Sequence, residues 1–178
     1  MMRICAASLV LLATVTPLAA QQAPTPEMEA DTRSAMKVVD FLLGDWAGSG
    51  WIMGPDGTRH EFLQTERIRP LLDGQVILIE GRGVDATDTT LVVHDAVAFI
   101  GYDAVAHRYV MRSFLSGGRT TEAEVDAEPG RLVWRIGNSV RYTITVDDAG
   151  TWYEIGEYTR DQGRTWQQFI EMRLVRKR

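Results

Sequence analysis

The sequence predicts an all-β fold, a single antiparallel barrel of about ten strands preceded by one short N-terminal helix. Turn-forming residues recur at short intervals after residue 50, and the runs between them are rich in β-branched and aromatic residues. No segment in that region has helical periodicity long enough for a crossover helix, so the strands are expected to pair antiparallel. A closed barrel leaves no exposed strand edge, and a two-sheet sandwich is the alternative.

Residues 1–20 have the layout of a secretory signal peptide. Arg3 supplies a positive charge, Ile4–Val15 form an apolar run, and cleavage is expected after about residue 20. An uncleaved membrane anchor is the alternative, but the run is shorter than the ~20 apolar residues that a spanning helix needs. Cleavage would also remove Cys5, the single cysteine. We therefore expect a secreted or periplasmic protein without disulfides and without an integral membrane segment.

The first structural element is expected shortly after the signal peptide. Segment 21–32 is polar and contains two prolines, so it is predicted to be a disordered linker. From 33 to 43 apolar residues recur at roughly helical spacing, which predicts the short helix, and Gly44 is predicted to be its C-cap. The barrel domain is expected to span 33–178.

Turn signals divide the remaining chain into strands. The first strand begins near Trp46, and Gly48 and Gly50 are expected to let it bend. The later breaks are clusters of Gly, Pro, Asp, Asn and Ser. They lie at 55–57, 70–74, 85–90, 103–107, 116–118, 128–130, 137–139, 147–150 and 161–163.

The last of these turns belongs to Thr159–Trp166, which matches the Asp-box pattern Ser/Thr-x-Asp-x-Gly-x-Thr-Trp. The pattern describes a hairpin turn in which Asp161 accepts backbone N–H bonds, Gly163 adopts positive φ and Trp166 packs back. It is familiar from sialidase propellers, but a propeller needs several blades and the chain has one copy of the motif. We interpret it as a structural turn.

Charge and motifs exclude several classes of function. The formal net charge is −5 and no basic face is visible, which argues against nucleic-acid binding. The three histidines are far apart in sequence and show no metal-ligand spacing, so no metal site is predicted. Only His94, on an apolar strand, is expected to point inward. No nucleophile elbow, P-loop or dinucleotide-binding motif is found.

Charged residues embedded in apolar strands are the candidate functional residues. Successive side chains of a strand point to opposite faces, so a charged residue in phase with apolar ones is expected to face inward. Because an unpaired buried carboxylate costs several kcal/mol, such groups must pair, become protonated or meet water. These charged residues could form a polar patch that orients a ligand. Alternatively, some face solvent and others form structural ion pairs, for example Glu66 or Glu171 with Arg112. The candidates are Glu66, Glu80, Arg112, Glu154 and Glu171.

Aromatic residues are candidates for the walls of the same interior. Trp134, Trp152, Tyr142 and Phe99 lie on predicted strands, and each could either line a cavity or fill the core.

Six segments carry a family resemblance. They are Phe41–Trp51, Thr65–Arg67, Leu72–Gly74, Ile100–Asp103, Glu154–Tyr158 and Thr165–Met172. In this order they resemble a bacterial family of unknown function with a lipocalin-like barrel, over most of 38–176. The resemblance implies the fold and brings no established activity. In lipocalin-like barrels the first-strand tryptophan closes one end under an arginine of the last strand, which implies these roles for Trp46 and for Arg173 or Arg176.

The opening Leu-Leu-Gly-x-Trp-x-Gly-x-Gly at 42–50 is also similar to that of nitrobindin-type haem-binding barrels. This resemblance implies haem ligation by a histidine near the C-terminal strand, but no histidine follows His107. Haem is therefore disfavoured and no cofactor is predicted. Axial ligation by Tyr142, Tyr158 or Met172 stays open, with no observation in its favour.

Three functions remain possible for such a barrel. The first is binding of a small, mostly apolar ligand in the interior. The second is an enzyme that acts on a small hydrophobic or carbonyl-containing substrate, with an inward carboxylate as general base. The third is a ligand-free barrel that serves as a platform for a partner in the cell envelope.

Overall fold

A computed structural model describes residues 23–177, and the predicted signal peptide lies outside them. The described part contains one α-helix, two short 3-10 helices and ten strands. Helix α1 spans Pro26–Met36, and the 3-10 helices span Lys37–Leu42 and Leu72–Gly74. The strands are β1 Gly44–Met53, β2 Arg59–Leu71, β3 Val76–Asp85, β4 Val92–Asp103, β5 Arg108–Leu115, β6 Thr120–Glu128, β7 Arg131–Ile136, β8 Val140–Val146, β9 Thr151–Tyr158 and β10 Gln167–Arg176.

The ten strands form a closed antiparallel barrel. Each strand pairs with its neighbours in sequence, and β1 closes the barrel by pairing with β10. Every predicted break overlaps a connection between consecutive strands. The predicted all-β barrel with one short N-terminal helix is therefore confirmed.

The helix lies further towards the N-terminus than predicted. It begins at Pro26, inside the segment 21–32 that was expected to be disordered, and α-helical geometry ends at Met36. The hydroxyl of Thr25 accepts a hydrogen bond from the backbone N–H of Met28 at 3.3 Å, and proline is favoured at the first helical position. Proline therefore starts the helix here, whereas the prediction took it as a sign of disorder. No helix within 23–177 has the length and apolar character needed to cross a membrane.

The strand register fixes which side chains face the interior. Residues directly opposite each other in an antiparallel ladder point to the same face. Trp46, which is fully buried, lies opposite Glu66, and Glu66 lies opposite Gly81. On β8 and β9, Ile144 lies opposite Glu154. These side chains all belong to the inner face.

One end of the barrel is closed by the N-terminal helical segment. Met36, Val39 and Leu42 are at most 1% exposed and belong to one apolar cluster with the inner side chains of the strands. The hydroxyl of Tyr109 on β5 donates to the backbone carbonyl of Ala35 at 2.7 Å. We call this the closed end, and the opposite end, where β1 ends and β2 begins, the open end.

Trp46 lies at the closed end between the helical segment and the last strand. Its Nε1 donates to the carbonyl of Leu42 at 2.8 Å, and its ring meets that of Trp152 edge-on at 5.4 Å. The guanidinium of Arg176 lies 4.1 Å from the ring centroid. Gly44 has φ +125° and starts β1, and a Cβ there would lie 2.6 Å from Nη1 of Arg176. Glycine at this position therefore leaves room for the arginine that covers the tryptophan.

Candidate functional site

Two carboxyl groups lie inside the barrel, and we call Glu66 and Glu154 the inner acid pair. Glu66 on β2 is 7% exposed and Glu154 on β9 is 8% exposed. Nε2 of Gln64 donates to Oε1 of Glu66 at 2.6 Å, and Nε1 of Trp152 donates to Oε2 of Glu154 at 3.2 Å. Oε2 of Glu66 is buried and has no hydrogen-bond partner among the described residues. The inner acid pair therefore has neutral hydrogen-bond donors but spare acceptor capacity.

Burial raises the pKa of both carboxyl groups because it disfavours the charged form. The pKa of Glu66 rises to about 7, and the hydrogen bond from Gln64 opposes the shift in part. Burial raises the pKa of Glu154 to about 8, and the charge of Glu66 adds to the effect, whereas the indoles of Trp152 and Trp134 lower it. The two carboxyl groups thus lie within electrostatic reach of each other. At neutral pH the pair holds at least part of a proton.

Four aromatic side chains towards the open end form what we call the aromatic wall: Trp134, Tyr142, Tyr158 and Phe169. Trp134 and Tyr142 lie opposite each other on β7 and β8, with stacked rings whose centroids are 3.8 Å apart. Phe169 meets Tyr142 edge-on at 5.5 Å and Tyr158 at 6.1 Å. All four are only partly buried. Burial and the nearby Glu154 raise the pKa of Tyr142 to about 12, so its phenol stays neutral.

Small residues occupy the part of the inner face next to Glu66. A Cβ at Gly81 would lie 2.8 Å from both carboxylate oxygens of Glu66, and a Cβ at Gly83 would lie 2.6 Å from Oε1 of Gln64. Ala96 and Ala98 continue the same face on β4. Glycine on β3 is therefore what allows the polar groups of β2 to lie against the barrel wall.

His94 lies opposite Gly83 on the inner face, near the open end of the barrel. The side chain is exposed, but partial desolvation of the imidazole lowers its pKa. The charge of Asp95 acts in the opposite direction, and that of Arg119 lowers the pKa further. His94 thus lies two residues along β4 from Ala96, which is opposite Gly81.

Three of the polar residues that were predicted to face inward lie on the outer face instead. Arg69 binds Glu80 at 2.9 Å, and Arg112 binds Glu122 at 3.0 Å. Glu171 accepts a hydrogen bond from Gln168 at 3.1 Å and lies 3.5 Å from Arg173. Phe99, predicted as a wall residue, is also on the outer face and is 37% exposed, whereas Trp152 packs at the closed end.

The predicted role of Arg173 over Trp46 belongs to Arg176 instead. Arg173 points outward, and its guanidinium lies 4.5 Å from the ring centroid of Tyr153. Arg176 also donates to the carbonyl of Phe41 at 2.8 Å and to that of Leu43. The last strand therefore supplies the arginine that covers Trp46, and it is Arg176, not Arg173.

The Asp-box segment forms a turn between β9 and β10. Oδ1 of Asp161 accepts a hydrogen bond from the backbone N–H of Thr165 at 2.8 Å and from the hydroxyl of Thr159 at 2.8 Å. The hydrogen bonds from Thr165, and then that from Thr159, lower the pKa of Asp161 to about 2. Gly163 has φ +88°, and Trp166 stacks against Arg141, whose guanidinium lies 4.0 Å from the ring. These contacts fit a structural role.

Two surface depressions lie outside the barrel. One of about 430 Å³ lies between α1 and strands β4 and β5, beside Met28 and Val105. Another of about 360 Å³ is lined by Asp45, Arg67 and Glu80 on the outer face, together with part of Glu66. Neither is lined by the aromatic wall or by Glu154. Within 23–177 no three His, Cys, Asp or Glu side chains are grouped closely enough to hold a metal ion.

Several site residues were not singled out from the sequence. Gln64 was predicted to share the face of Glu66, but an uncharged amide gave no reason to select it. Phe169 and Tyr158 join the aromatic wall through the turn between β9 and β10. The glycines at 81 and 83 carry no hydropathy signal, although a Gly-x-Gly within a strand indicates close approach of other groups.

The closed ten-stranded barrel with a helical segment at one end defines a lipocalin-like barrel. A comparison with solved structures finds the same fold in Rv2717c from M. tuberculosis, with a TM-score of 0.59 and 13% identity over 81% of this chain and 98% of that one. The S-type phycobiliprotein lyase CPES from Guillardia theta is similar with a TM-score of 0.54 and 13% identity, over 87% of this chain and 99% of that one. No family model and no curated protein matches the chain.

Proposed function

We propose that the protein binds a small, mostly apolar ligand inside the barrel, between the aromatic wall and the inner acid pair. The observation that carries this proposal is the inner acid pair itself. A buried carboxyl group without an ionic partner costs several kcal/mol, and an apolar residue of similar size would stabilise the fold better. Groups that carry such a cost are enriched at functional sites. The ligand would contact the aromatic wall and reach the acid pair with a polar group.

The two solved barrels support the proposal through their fold alone. One of them is named as a phycobiliprotein lyase, so a barrel of this architecture occurs in a protein with that name. Barrels of this size can enclose one small ligand. The identity of a ligand for this chain rests on its own interior residues.

Replacement of Phe169 by alanine is expected to weaken binding of a neutral apolar fluorophore such as N-phenyl-1-naphthylamine. Loss of one aromatic contact is worth about 1–2 kcal/mol, which corresponds to a roughly tenfold higher Kd. Phe99→Ala is the matched control, because it is the same substitution on the outer face. Fluorescence titration measures both. Equal affinity of Phe169→Ala and wild type, or equal losses in the two variants, would contradict an interior site.

An enzyme is the second candidate, and the raised pKa values of the inner acid pair favour it. A carboxyl group whose pKa lies near 7 or 8 can accept and donate protons at physiological pH. The substrate would be a small hydrophobic or carbonyl-containing compound, with Glu154 or Glu66 as general base. In that case Glu154→Gln or Glu66→Gln would abolish turnover of a bound compound while retaining its binding. A pure binding protein would turn over no bound compound.

We also propose that the protein is secreted or periplasmic. The charged start at Arg3, the apolar run Ile4–Val15 and the small residues at 19–20 support this. The protein isolated from its own host is expected to start near Gln21, and N-terminal sequencing of the mature chain measures this. An intact N-terminus in the isolated protein would overturn the proposal.

A further inference from the structure

The outer and inner carboxyl groups of the barrel differ in their ionic partners. Several outer carboxylates are paired with arginines on the same or neighbouring strands, which is the usual arrangement on a charged sheet surface. The inner acid pair has no arginine, lysine or histidine partner among residues 23–177. The outer pairs include Glu80 with Arg69, Glu122 with Arg112, Glu157 with Arg141, Asp45 with Arg67 and Asp95 with Arg82.

Within the described residues 23–177 no cation on the inner face compensates the acid pair. Arg176, at the closed end, is exposed and is held by the ring of Trp46 and by the carbonyls of Phe41 and Leu43. His94, at the open end, has a lowered pKa and so tends to be neutral. Within the described residues the interior therefore carries two buried carboxyl groups, and the histidine of the inner face tends to be neutral.

The inner acid pair also has more hydrogen-bond acceptors than the surrounding side chains have donors. Gln64 and Trp152 already donate to the acid pair, while Oε2 of Glu66 has no donor within the described part of the chain. An ionised carboxylate offers about four acceptor sites and no donor. The group that complements this arrangement is a hydrogen-bond donor with positive charge, and anionic groups are repelled.

The aromatic wall suits the same kind of ligand. Faces of Trp and Tyr rings carry negative electrostatic potential and attract cations, most strongly where water is excluded. The indole of Trp134 also lowers the pKa of Glu154. A ligand could thus place an apolar body against the aromatic wall and a cationic end between the carboxyl groups.

We infer that the interior site is selective for an apolar amine, a compound whose protonated nitrogen is held between Glu66 and Glu154. This inference rests on the proposed function, and it adds the chemical class of the ligand. The positive charge replaces the missing ionic partner of the buried carboxyl groups, and the hydrogen atoms on nitrogen reach the free acceptor Oε2 of Glu66.

Three compounds with one skeleton test the inference: 2-(1-naphthyl)ethylamine, 2-(1-naphthyl)ethanol and 1-naphthylacetate. Isothermal titration calorimetry near pH 8 is expected to give an amine affinity at least about tenfold above that of the alcohol, with the acetate weakest, because the charged end meets the desolvated acid pair. The double variant Glu66→Gln/Glu154→Gln is expected to bind the amine and the alcohol within about twofold of each other. It loses two buried charges, so it is expected to fold at least as stably as the wild type at this pH.

The control variant is Glu122→Gln, which removes a carboxylate from the outer face and should keep the preference for the amine. If the alcohol binds as tightly as the amine, and Phe169→Ala weakens both, the inference is wrong and the proposed interior site stands. If the preference survives in the double variant, the inference is wrong as well. If none of the three compounds binds, the inference and the proposed function are both wrong.

Discussion

Between pH 5 and pH 9 the free energy of unfolding is expected to fall by on the order of 4 kcal/mol through Glu154 alone. Its pKa is 4.5 in the unfolded chain and about 8 in the folded protein. The folded state therefore binds the proton more tightly, and this stability is fully present below about pH 4.5. It is lost as the pH rises through about 8, because the unfolded chain then gains more from ionisation. Glu66, with a pKa of about 7, acts in the same direction.

The variant Glu154→Gln isolates this effect, because glutamine keeps the shape of the side chain and cannot ionise. Chemical denaturation at several pH values is expected to show a much flatter profile for the variant and a gain on the order of 4 kcal/mol over wild type at pH 9. His94 titrates in both proteins and cancels in the comparison, while Tyr142 stays neutral across the range. Glu122→Gln is the outer-face control. Parallel profiles for wild type and Glu154→Gln would contradict a buried, protonated Glu154.

The fold could be predicted because its signals are local. Turn residues and period-two runs mark strands without reference to the rest of the chain. The helix start was missed because Pro26 was taken as a sign of disorder, although Thr25 before it is a capping residue. The capping residue is a local signal for a helix start, but the polar, proline-containing composition of the segment was given more weight. Barrel closure followed from strand number and from the need to remove edges.

The candidate site was only partly predictable, because parity relates residues of one strand without saying which face is inside. Glu80 is in phase with Val76 and Leu78, yet the inner face of β3 carries Gly81 and Gly83. The inner face begins with Ile77 and Ile79 and the outer face with Val76 and Leu78, so the apolar residues do not tell the two faces apart. Which face of β3 is inside depends on the tertiary arrangement, which brings small residues next to Gln64 and Glu66.

A register shift explains the outward position of Glu171. The pairing of β10 with β9 is interrupted between Gln168 and Ile170, so Phe169 lies in an irregularity. A bulge adds one residue and reverses the alternation of faces beyond it. Phe169 reaches the aromatic wall, while Glu171, two residues later, faces outward. Such a shift leaves no mark in the hydrophobic pattern.

The meeting of Glu66 and Glu154 depends on barrel closure. Glu66 lies on β2 and Glu154 on β9, and they approach because β1 and β10 are paired between them. Each residue could be selected from its own strand, but their mutual effect on pKa is a property of the closed barrel. The sequence therefore predicts the two residues as separate candidates, and the structure shows that they form a pair.

Replacement of Trp46 by alanine is expected to destabilise the barrel by about 3–5 kcal/mol. The indole is fully buried, contacts Trp152 edge-on and donates to the carbonyl of Leu42. The substitution opens a cavity at the closed end and leaves that carbonyl without its donor. Since domains of this size are stable by about 5–15 kcal/mol, the loss is a large share of the total. Thermal and urea denaturation measure it.

Two arginines of β10 provide the matched comparison for this end of the barrel. Arg176→Ala removes the guanidinium over Trp46 together with its hydrogen bonds to Phe41 and Leu43, and it should cost about 1–2 kcal/mol. Arg173→Ala removes an outward guanidinium over Tyr153 and should cost about 0.5 kcal/mol or less. In a Trp46→Ala background the cost of Arg176→Ala should shrink, because its partner ring is already absent. Equal costs for the two arginines, or an unchanged cost of Arg176→Ala without the indole, would show that Arg176 does not stabilise the closed end through Trp46.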